Sequence, residues 1–119
     1  MKRRIVWGIG AGLGVALVVA GCMYLGNLSP IASFTATPNS GSTPLSVDFD
    51  ASASSDADGT IDEYFWDFGD GQSASAVLPT ITHIYTNAQS NSLTFTSILV
   101  VTDNAGATDT AVKNITVDP

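Results

Sequence analysis

The run from Tyr64 to Gly71 (YFWDFGDG) constrains the fold of this chain more than any other segment. Tyr64, Trp66 and Phe68 stand at every second position, which places their aromatic side chains on one face of a β-strand. The Gly69-Asp70-Gly71 triplet supplies the positive-φ positions that a tight reversal needs. The run therefore predicts a strand with a buried aromatic face that leads directly into a hairpin turn.

Seven strand-like segments follow residue 30, and clusters of turn-forming residues separate them. No helical periodicity appears after Leu28. Short strands at this spacing favour an all-β, seven-stranded β-sandwich. The predicted strands are Ala32 to Thr37, Leu45 to Asp50, Asp62 to Phe68, Gln72 to Ala76, Thr80 to Tyr85, Leu93 to Thr102 and Ala107 to Val117.

The motifs on either side of the aromatic strand resemble those of a PKD domain. YFWDFGDG is preceded by SASSDADGTI (Ser52 to Ile61) and followed by THIY (Thr82 to Tyr85) and VVTDNAGATDTA (Val100 to Ala111). These motifs stand in the family's order at compatible spacing, from about residue 30 to 118. The resemblance implies an immunoglobulin-like β-sandwich in the extracellular region of a surface or secreted protein.

Alternation along the predicted strands indicates which side chains enter the core. It leaves open whether Ile81 or Ile84 faces inward. The remaining candidates are Phe34, Leu45, Val47, Phe49, Tyr64, Trp66, Phe68, Leu99, Val101, Val112, Ile115 and Val117.

The amino terminus has the composition of an export signal. Lys2, Arg3 and Arg4 precede an uncharged apolar run from Ile5 to about Leu25, which predicts a signal or anchor helix. Small residues stand just before Cys22, the only cysteine, and resemble a lipobox. Cleavage there would leave a lipidated Cys22 at the new terminus, and several acyl chains would hold the protein on a membrane.

These features divide the chain into a signal peptide or anchor at 1–21, Cys22 with a short tether at 22–30, and a sandwich domain at 31–119. Two alternatives stay open. An ordinary signal peptide would release a secreted domain, and an uncut apolar run would be just long enough for a bilayer of about 30 Å. Each places the domain at the cell surface or outside the cell.

Charge limits the classes of partner. All eleven acidic residues lie from Asp48 onward, whereas Lys113 is the only basic residue after Arg4, so the domain has a formal charge of −10. Such a surface repels nucleic acid phosphates and anionic headgroups. Cations and basic surfaces are the partners that this charge favours.

An acidic loop precedes the aromatic strand. Asp56, Asp58 and Asp62 surround a flexible turn, which is the composition of a loop that binds a hard cation such as calcium. The full spacing of an EF-hand is absent. Asp residues in such loops also accept hydrogen bonds from nearby amides, and this structural role is the alternative.

The resemblance extends the predicted calcium site. Some PKD domains bind calcium through this acidic loop together with an Asn-Ser pair near the first turn, and Asn39 and Ser40 match that pair. By the same resemblance, Asp103 at the start of the late turn would complete the set of ligands.

No arrangement typical of catalysis is visible. Asp67 and Asp70 flank the hairpin turn, where tying down loop amides is the role expected of them. His83 is the only histidine, and we expect it to form a hydrogen bond within a loop or to pack on the core. No paired acid, base and nucleophile accompanies these residues, so we predict that the protein is not an enzyme.

The segment from Leu93 to Thr102 departs from the family pattern. Ser97 stands where an inward apolar residue is usual, and Ile98 and Val100 fall on the face opposite Leu99. Either a bulge shifts the register, or this sheet presents apolar side chains outward. In the second case Ile98 and Val100 mark an interaction face.

The sequence therefore favours a non-enzymatic, membrane-anchored surface module that contacts protein or carbohydrate, or serves as a subunit or spacer of a surface assembly. One alternative is a calcium-binding accessory domain that the ion stabilises. Another is self-assembly as a one-domain subunit of a filament or virion.

Overall fold

Eight strands run through residues 26–119, the part of the chain that the computed structural model describes. They form a three-stranded sheet of order β1-β3-β6 and a five-stranded sheet of order β2-β8-β7-β4-β5. The predicted all-β sandwich is confirmed. The strands are β1 (Thr35–Thr37), β2 (Ser40–Ser42), β3 (Leu45–Asp50), β4 (Ile61–Asp67), β5 (Ser73–Ala76), β6 (Thr80–Tyr85), β7 (Leu93–Asp103) and β8 (Thr108–Asp118).

The predicted amino-terminal helix and the lipidation site at Cys22 lie outside the described residues. Within residues 26–119, no helix has the length and apolar character needed to cross a bilayer.

The short strand β2 has no counterpart among the seven predicted strands. It pairs in parallel with the end of β8, with Ser40 opposite Thr116 and Ser42 opposite Asp118. A Ser-Gly-Ser segment has neither alternation nor β-propensity, so the sequence predicted only a turn there. Backbone pairing with the long strand β8 creates this edge strand.

The core lies between the sheets and centres on Trp66, which is fully buried. The Phe34 ring meets Trp66 edge-on with centroids 5.2 Å apart, and the Phe49 ring lies 5.4 Å from it in a tilted arrangement. Such offset and edge-on pairs add to the stabilisation that burial provides. The buried apolar residues are Phe34, Leu45, Val47, Phe49, Ala51, Tyr64, Trp66, Phe68, Tyr85, Leu99, Val101, Ile115 and Val117.

The structure shows which of the predicted core residues face solvent instead. Ile81 packs against the core, whereas Ile84 is 56% exposed, which resolves the choice between them. The prediction that Val112 is buried is wrong, because this residue is 59% exposed. Val112 is out of phase with the inward-facing Ile115 and Val117, so a period of two points it to solvent.

The turn between β4 and β5 has the chemistry that the sequence predicted. Asp67 Oδ1 accepts a hydrogen bond from the Gly69 amide at 3.0 Å, and Asp70 Oδ1 accepts one from the Gln72 amide at 3.1 Å. Gly69 has a φ of 82°, and a Cβ there would lie 2.4 Å from the carbonyl oxygen of Thr96. Only glycine fits both the backbone conformation and this close approach.

Candidate functional site

Three carboxylates gather where the described chain enters the sandwich. Asp56 and Asp58 belong to the loop between β3 and β4, and Asp103 is the last residue of β7. Hydrogen bonds join this loop to the β7–β8 turn, since the Asn104 amide donates to the Thr60 carbonyl and the Thr60 amide donates to Asn104 Oδ1. We call Asp56, Asp58 and Asp103 the acidic cluster.

Asp103 is the anchored member of the acidic cluster, with 2% of the residue exposed. Its Oδ2 accepts a hydrogen bond from Asn27 Nδ2 at 2.9 Å, and its Oδ1 accepts the amides of Ala105 and Ala107 at 2.9 and 2.8 Å. The Asn27 bond, followed by the turn amides, holds the pKa of Asp103 below its usual value despite burial. Asp103 is therefore ionised at neutral pH.

Asp56 has the opposite environment. Both of its carboxylate oxygens are shielded from solvent, and neither accepts a well-formed hydrogen bond. Desolvation, followed by repulsion from Asp103 and Asp58, raises its pKa, and the nearby Asp58 amide offsets this rise only in part. A carboxylate shielded in this way is costly to ionise unless a positive charge or a hydrogen-bond donor satisfies it.

The segment that enters the domain contacts the acidic cluster directly. The Leu28 amide donates to Asp58 Oδ2 at 2.8 Å, one residue after the Asn27 contact with Asp103. The sequence predicts a tether at Asn27 and Leu28, because nothing local reveals their contacts with residues 76 and 30 positions away.

Three other predicted calcium ligands lie apart from the acidic cluster. Asp62 is exposed at the irregularity between Ile61 and Glu63 of β4, and its Oδ1 accepts the Thr60 hydroxyl at 3.1 Å. The structure also places Asn39 and Ser40 away from the cluster. Pairing of β2 with β8 holds these two residues at the opposite end of the sandwich, near Thr116.

As they stand, no three His, Cys, Asp or Glu side chains within residues 26–119 are placed to hold a metal ion. The acidic cluster brings carboxylate oxygens, the ligand type that calcium prefers, to one end of the sandwich. Binding would require Asp56, Asp58 and Asp103 to draw closer around the ion.

The two polar candidates at the opposite hairpin have structural partners. His83 Nε2 lies 2.7 Å from Asp70 Oδ2, and both side chains are largely buried. The imidazole also stacks on Phe68, with centroids 3.9 Å apart and 3° between the planes. These contacts account for His83 and Asp70 without a catalytic role.

Ser97, which departs from the family pattern, belongs to the core. Its hydroxyl lies 2.8 Å from the Tyr85 hydroxyl, which donates to the Phe68 carbonyl at 2.9 Å. A polar residue is tolerated at this buried position because it completes a hydrogen-bonded pair. Strand β7 keeps an unbroken register with β8 from Leu93 to Thr102, so no bulge reverses its faces.

The outer face of the five-stranded sheet carries an apolar stripe. Phe65 pairs with Val100, and Ile98 pairs with Val112, so these residues occupy two adjacent rows on β4, β7 and β8. All four alternate with inward-facing residues and therefore point away from the core. We call Phe65, Ile98, Val100 and Val112 the outer stripe.

Phe65 and Val112 are the most exposed members of the outer stripe, at 36% and 59%. The sequence indicated only Ile98 and Val100 as an interaction face. Alternation could have identified Phe65 as outward-facing, because it directly precedes the inward-facing Trp66. It could also have identified Val112, which is three residues from the inward-facing Ile115 and therefore lies on the opposite face.

Comparison with known proteins identifies the family. A family model described as PKD domain matches residues 27–117, which includes both the aromatic strand and the acidic cluster. This chain belongs to the PKD domain family. Pre-pro-metalloprotease PrtV of Vibrio cholerae serotype O1 is 41% identical to it over 92 residues, which are 77% of this chain and 9% of that protein. The match is thus confined to a small part of the much longer protease.

Solved PKD domains have the same sandwich. The PKD1 domain of Vibrio cholerae metalloprotease PrtV is 35% identical with a TM-score of 0.63, over 77% of this chain and 100% of that one. The PKD1 domain of Vibrio anguillarum Epp is 31% identical with a TM-score of 0.60, over 78% and 98%. Both comparisons span one domain in the solved protein.

A third similar structure comes from a study of carbohydrate-binding modules of the β-sandwich superfamily and their promiscuous specificity. It is 43% identical to this PKD domain with a TM-score of 0.72. The match covers 78% of this chain and 36% of that one.

Proposed function

We propose that this PKD domain is a non-enzymatic extracellular module, held at the cell surface by its amino-terminal segment, that contacts protein or carbohydrate. The outer stripe is the observation that carries the proposal. Solvent-facing positions of a sandwich sheet are ordinarily polar, yet here four apolar side chains adjoin one another across three strands. A contiguous apolar patch on a stable domain is typical of a contact surface.

The comparisons support a binding role. One similar structure comes from work on carbohydrate-binding modules, and others are PKD domains of metalloproteases. In the described part of the chain, the polar residues of the hairpin are engaged in structural hydrogen bonds. Fold alone does not identify the ligand, so the face must be tested directly.

The test is adsorption to insoluble cellulose and chitin with matched surface variants. Val112→Asp places a charge in the outer stripe, whereas Ile84→Asp places one on the other sheet at a similarly exposed aliphatic residue. We expect Val112→Asp to weaken adsorption and Ile84→Asp to leave it unchanged. Equal adsorption by both variants and the wild type would contradict carbohydrate contact through this face.

The proposed anchor can be tested separately by measuring the intact mass of protein extracted from membranes. A chain that begins at Cys22 and carries acyl mass supports lipidation, and Cys22→Ser should then release the domain from the membrane. Retention of Met1 would indicate an uncut apolar anchor instead.

Calcium binding at the acidic cluster is a second candidate function, favoured by the Asp56 carboxylate that lacks a partner. Asp56, Asp58 and Asp103 would hold the ion, and calcium would neutralise the repulsion that raises the pKa of Asp56. Because Asn27 and Leu28 also contact this cluster, binding would fix the path of the chain into the domain.

Thermal melts with EDTA and with calcium test this candidate. A ligand that binds only the folded state raises the melting temperature as its concentration increases. We expect a rise in the wild type and none in Asp56→Ala, with magnesium as the control ion. Identical melting temperatures in EDTA and in calcium would exclude the site.

A further inference from the structure

Strand β5 leaves an open edge on the five-stranded sheet. It forms one end of that sheet, and among residues 26–119 no strand pairs with its outer side. The Phe68 amide donates to the Gln72 carbonyl at 3.0 Å, which sets the phase of hydrogen bonding between β4 and β5. Residues of an antiparallel strand alternately direct their backbone groups toward the partner strand and away from it. By this phase, Ser73 and Ser75 direct their amides and carbonyls toward the open edge.

The β5 edge lacks the features that usually prevent strand pairing. Natural edge strands are blunted by charged side chains, proline or a bulge. Strand β5 instead reads Ser-Ala-Ser-Ala and keeps a regular register with β4 from Ser73 to Ala76. Its small side chains leave the backbone accessible. The edge therefore presents donors and acceptors that an extended backbone can pair with.

The connection that follows this edge carries exposed apolar side chains. Val77 and Leu78 come directly after Ala76, and they are 77% and 66% exposed. These are the two highest values among the exposed large hydrophobic residues that the structure describes. A segment that pairs with β5 and continues beyond Ala76 would pass beside both side chains and shield them from water.

The outer face of β4 indicates which kind of segment would fit. Glu63, Phe65 and Asp67 alternate along this face, so an apolar side chain stands between two carboxylates. A strand added to β5 would lie two strand spacings from β4, about 9.6 Å away. Only small residues intervene on this face, with Ser75 beside Phe65 and Ser73 beside Asp67. Long side chains of an added strand can therefore reach across β5 to this row.

We infer that an extended, basic segment of a partner protein adds to β5 as a further strand. Its outward side chains would be an apolar residue near Phe65, between two basic residues near Glu63 and Asp67. This pattern reads the same in both directions, so parallel and antiparallel addition both satisfy it. Backbone pairing would provide affinity, and the three side chains would provide specificity.

The inference rests on the proposed function, because it names the partner of the module as a protein. Charge separates this partner from another copy of the domain. A second β5 strand carries no basic residue to place near Glu63 and Asp67. A basic segment is also attracted by the domain as a whole, since Lys113 is its only basic residue.

The first experiment is an NMR titration of the isotopically labelled full chain, in detergent, with the peptide Thr-Lys-Thr-Leu-Thr-Lys-Thr. We expect the amide signals of Ser73 and Ser75 to shift more than those of Ala74 and Ala76, because only the first two amides face the edge. A scrambled peptide with adjacent lysines controls for unspecific attraction to an acidic domain. N-methylation of the three central peptide amides removes donors and should weaken binding at least about tenfold.

Domain variants test the edge directly, after thermal melts confirm that each is folded. Ser75→Pro removes an amide that faces away from β4, so it should block the edge while leaving the ladder intact. We expect it to weaken binding at least about tenfold, and Ser75→Thr, which keeps the amide, to leave binding unchanged. Ile84→Pro is the matched control on β6, the open edge of the other sheet, where the amide also faces away from its partner strand.

Several outcomes would overturn the inference. They are equal binding of the designed and scrambled peptides, full binding of the N-methylated peptide, and equal binding by Ser75→Pro and the wild type. The peptide controls leave the domain unaltered, so they decide the question if Ser75→Pro does not fold. Adsorption to polysaccharide that Val112→Asp weakens, without any binding of the peptide, would refute strand addition while leaving the proposed function intact.

Discussion

His83 and Asp70 join the two sheets at the hairpin end of the sandwich, with Nε2 and Oδ2 2.7 Å apart. His83 lies on β6 of the three-stranded sheet, whereas Asp70 lies in the turn between β4 and β5 of the five-stranded sheet. Stacking of the imidazole on Phe68 fixes the ring in position for this contact. The pair therefore holds the aromatic hairpin against the opposite sheet.

Removal of the Asp70 carboxylate should destabilise the domain. Asp70→Ala leaves the largely buried His83 without its partner and the Gln72 amide without its acceptor, at a cost of about 2 kcal/mol in the free energy of unfolding. Asp62→Ala is the matched control, because the exposed Asp62 is bonded only to Thr60. Urea denaturation measures both variants, and equal midpoints would contradict a structural role for the pair.

Substitution of the two glycines in this turn should distinguish the cost of a positive φ from the cost of a steric clash. Gly71 has a φ of 90° with open space around it, so Gly71→Ala should cost only the left-handed conformation, about 1–2 kcal/mol. Gly69→Ala adds a clash with the Thr96 backbone and should cost at least about 2 kcal/mol more. Chemical denaturation measures the free energy of unfolding of both variants. Equal values would contradict the prediction and show that β7 can shift away from the turn to relieve the clash.

Tyr85 should make the domain sensitive to alkali. Burial raises the pKa of its hydroxyl to about 12, and nearby Asp70 and Asp67 add to that rise while Ser97 opposes it. The unfolded chain releases this proton near pH 10 and the folded chain only near 12, so stability falls as the pH rises between these values.

Tyr85→Phe tests this prediction. It should cost about 1–3 kcal/mol at neutral pH, because the Phe68 carbonyl loses its donor, and it should flatten the alkaline decline. Ser97→Ala keeps the phenol and should retain that decline. Denaturation midpoints recorded across the alkaline range provide the measurement, and an unchanged slope in Tyr85→Phe would assign the decline to another group.

Asp56 should destabilise the calcium-free domain at neutral pH. Its raised pKa means that folding disfavours the ionised form, so this cost is absent below the usual pKa of 3.8 and appears as the pH rises. Asp56→Asn should therefore raise the melting temperature in EDTA near pH 7 and not near pH 3. A lower melting temperature for the variant in EDTA would show that the carboxylate already has a stabilising partner.

The fold could be predicted from the sequence to the extent that period-two alternation and turn chemistry specify it. The predicted bounds of the strands from Leu45 to Asp50 and from Thr80 to Tyr85 match β3 and β6, because each has turn residues at both ends. Strand β2 escaped prediction because long-range backbone pairing, rather than side-chain pattern, forms it. Tyr85 was not among the predicted core residues, because the sequence left open whether Ile81 or Ile84 faces inward and Tyr85 shares the phase of Ile81.

The candidate sites were predictable only where one segment contained the signal. Asp56 and Asp58 are close in sequence, and the family resemblance indicated Asp103. The roles of Asn27 and Leu28 depend on how the entering chain folds back, which no local pattern reveals. The same limit explains the separation of Asn39 and Ser40, since their position follows from the pairing of β2 with β8.

The parallel pairing of β2 with β8 has a mechanical consequence. Asn27 is bound near Asp103 at one end of the sandwich, whereas Asp118 pairs with Ser42 at the other. The ten residue steps of β7 between these ends correspond to about 33 Å. Tension between Asn27 and Asp118 would run nearly along the strands and load the hydrogen bonds of β8 in shear, all at once. Such a domain would act as a stiff link that transmits force without unzipping.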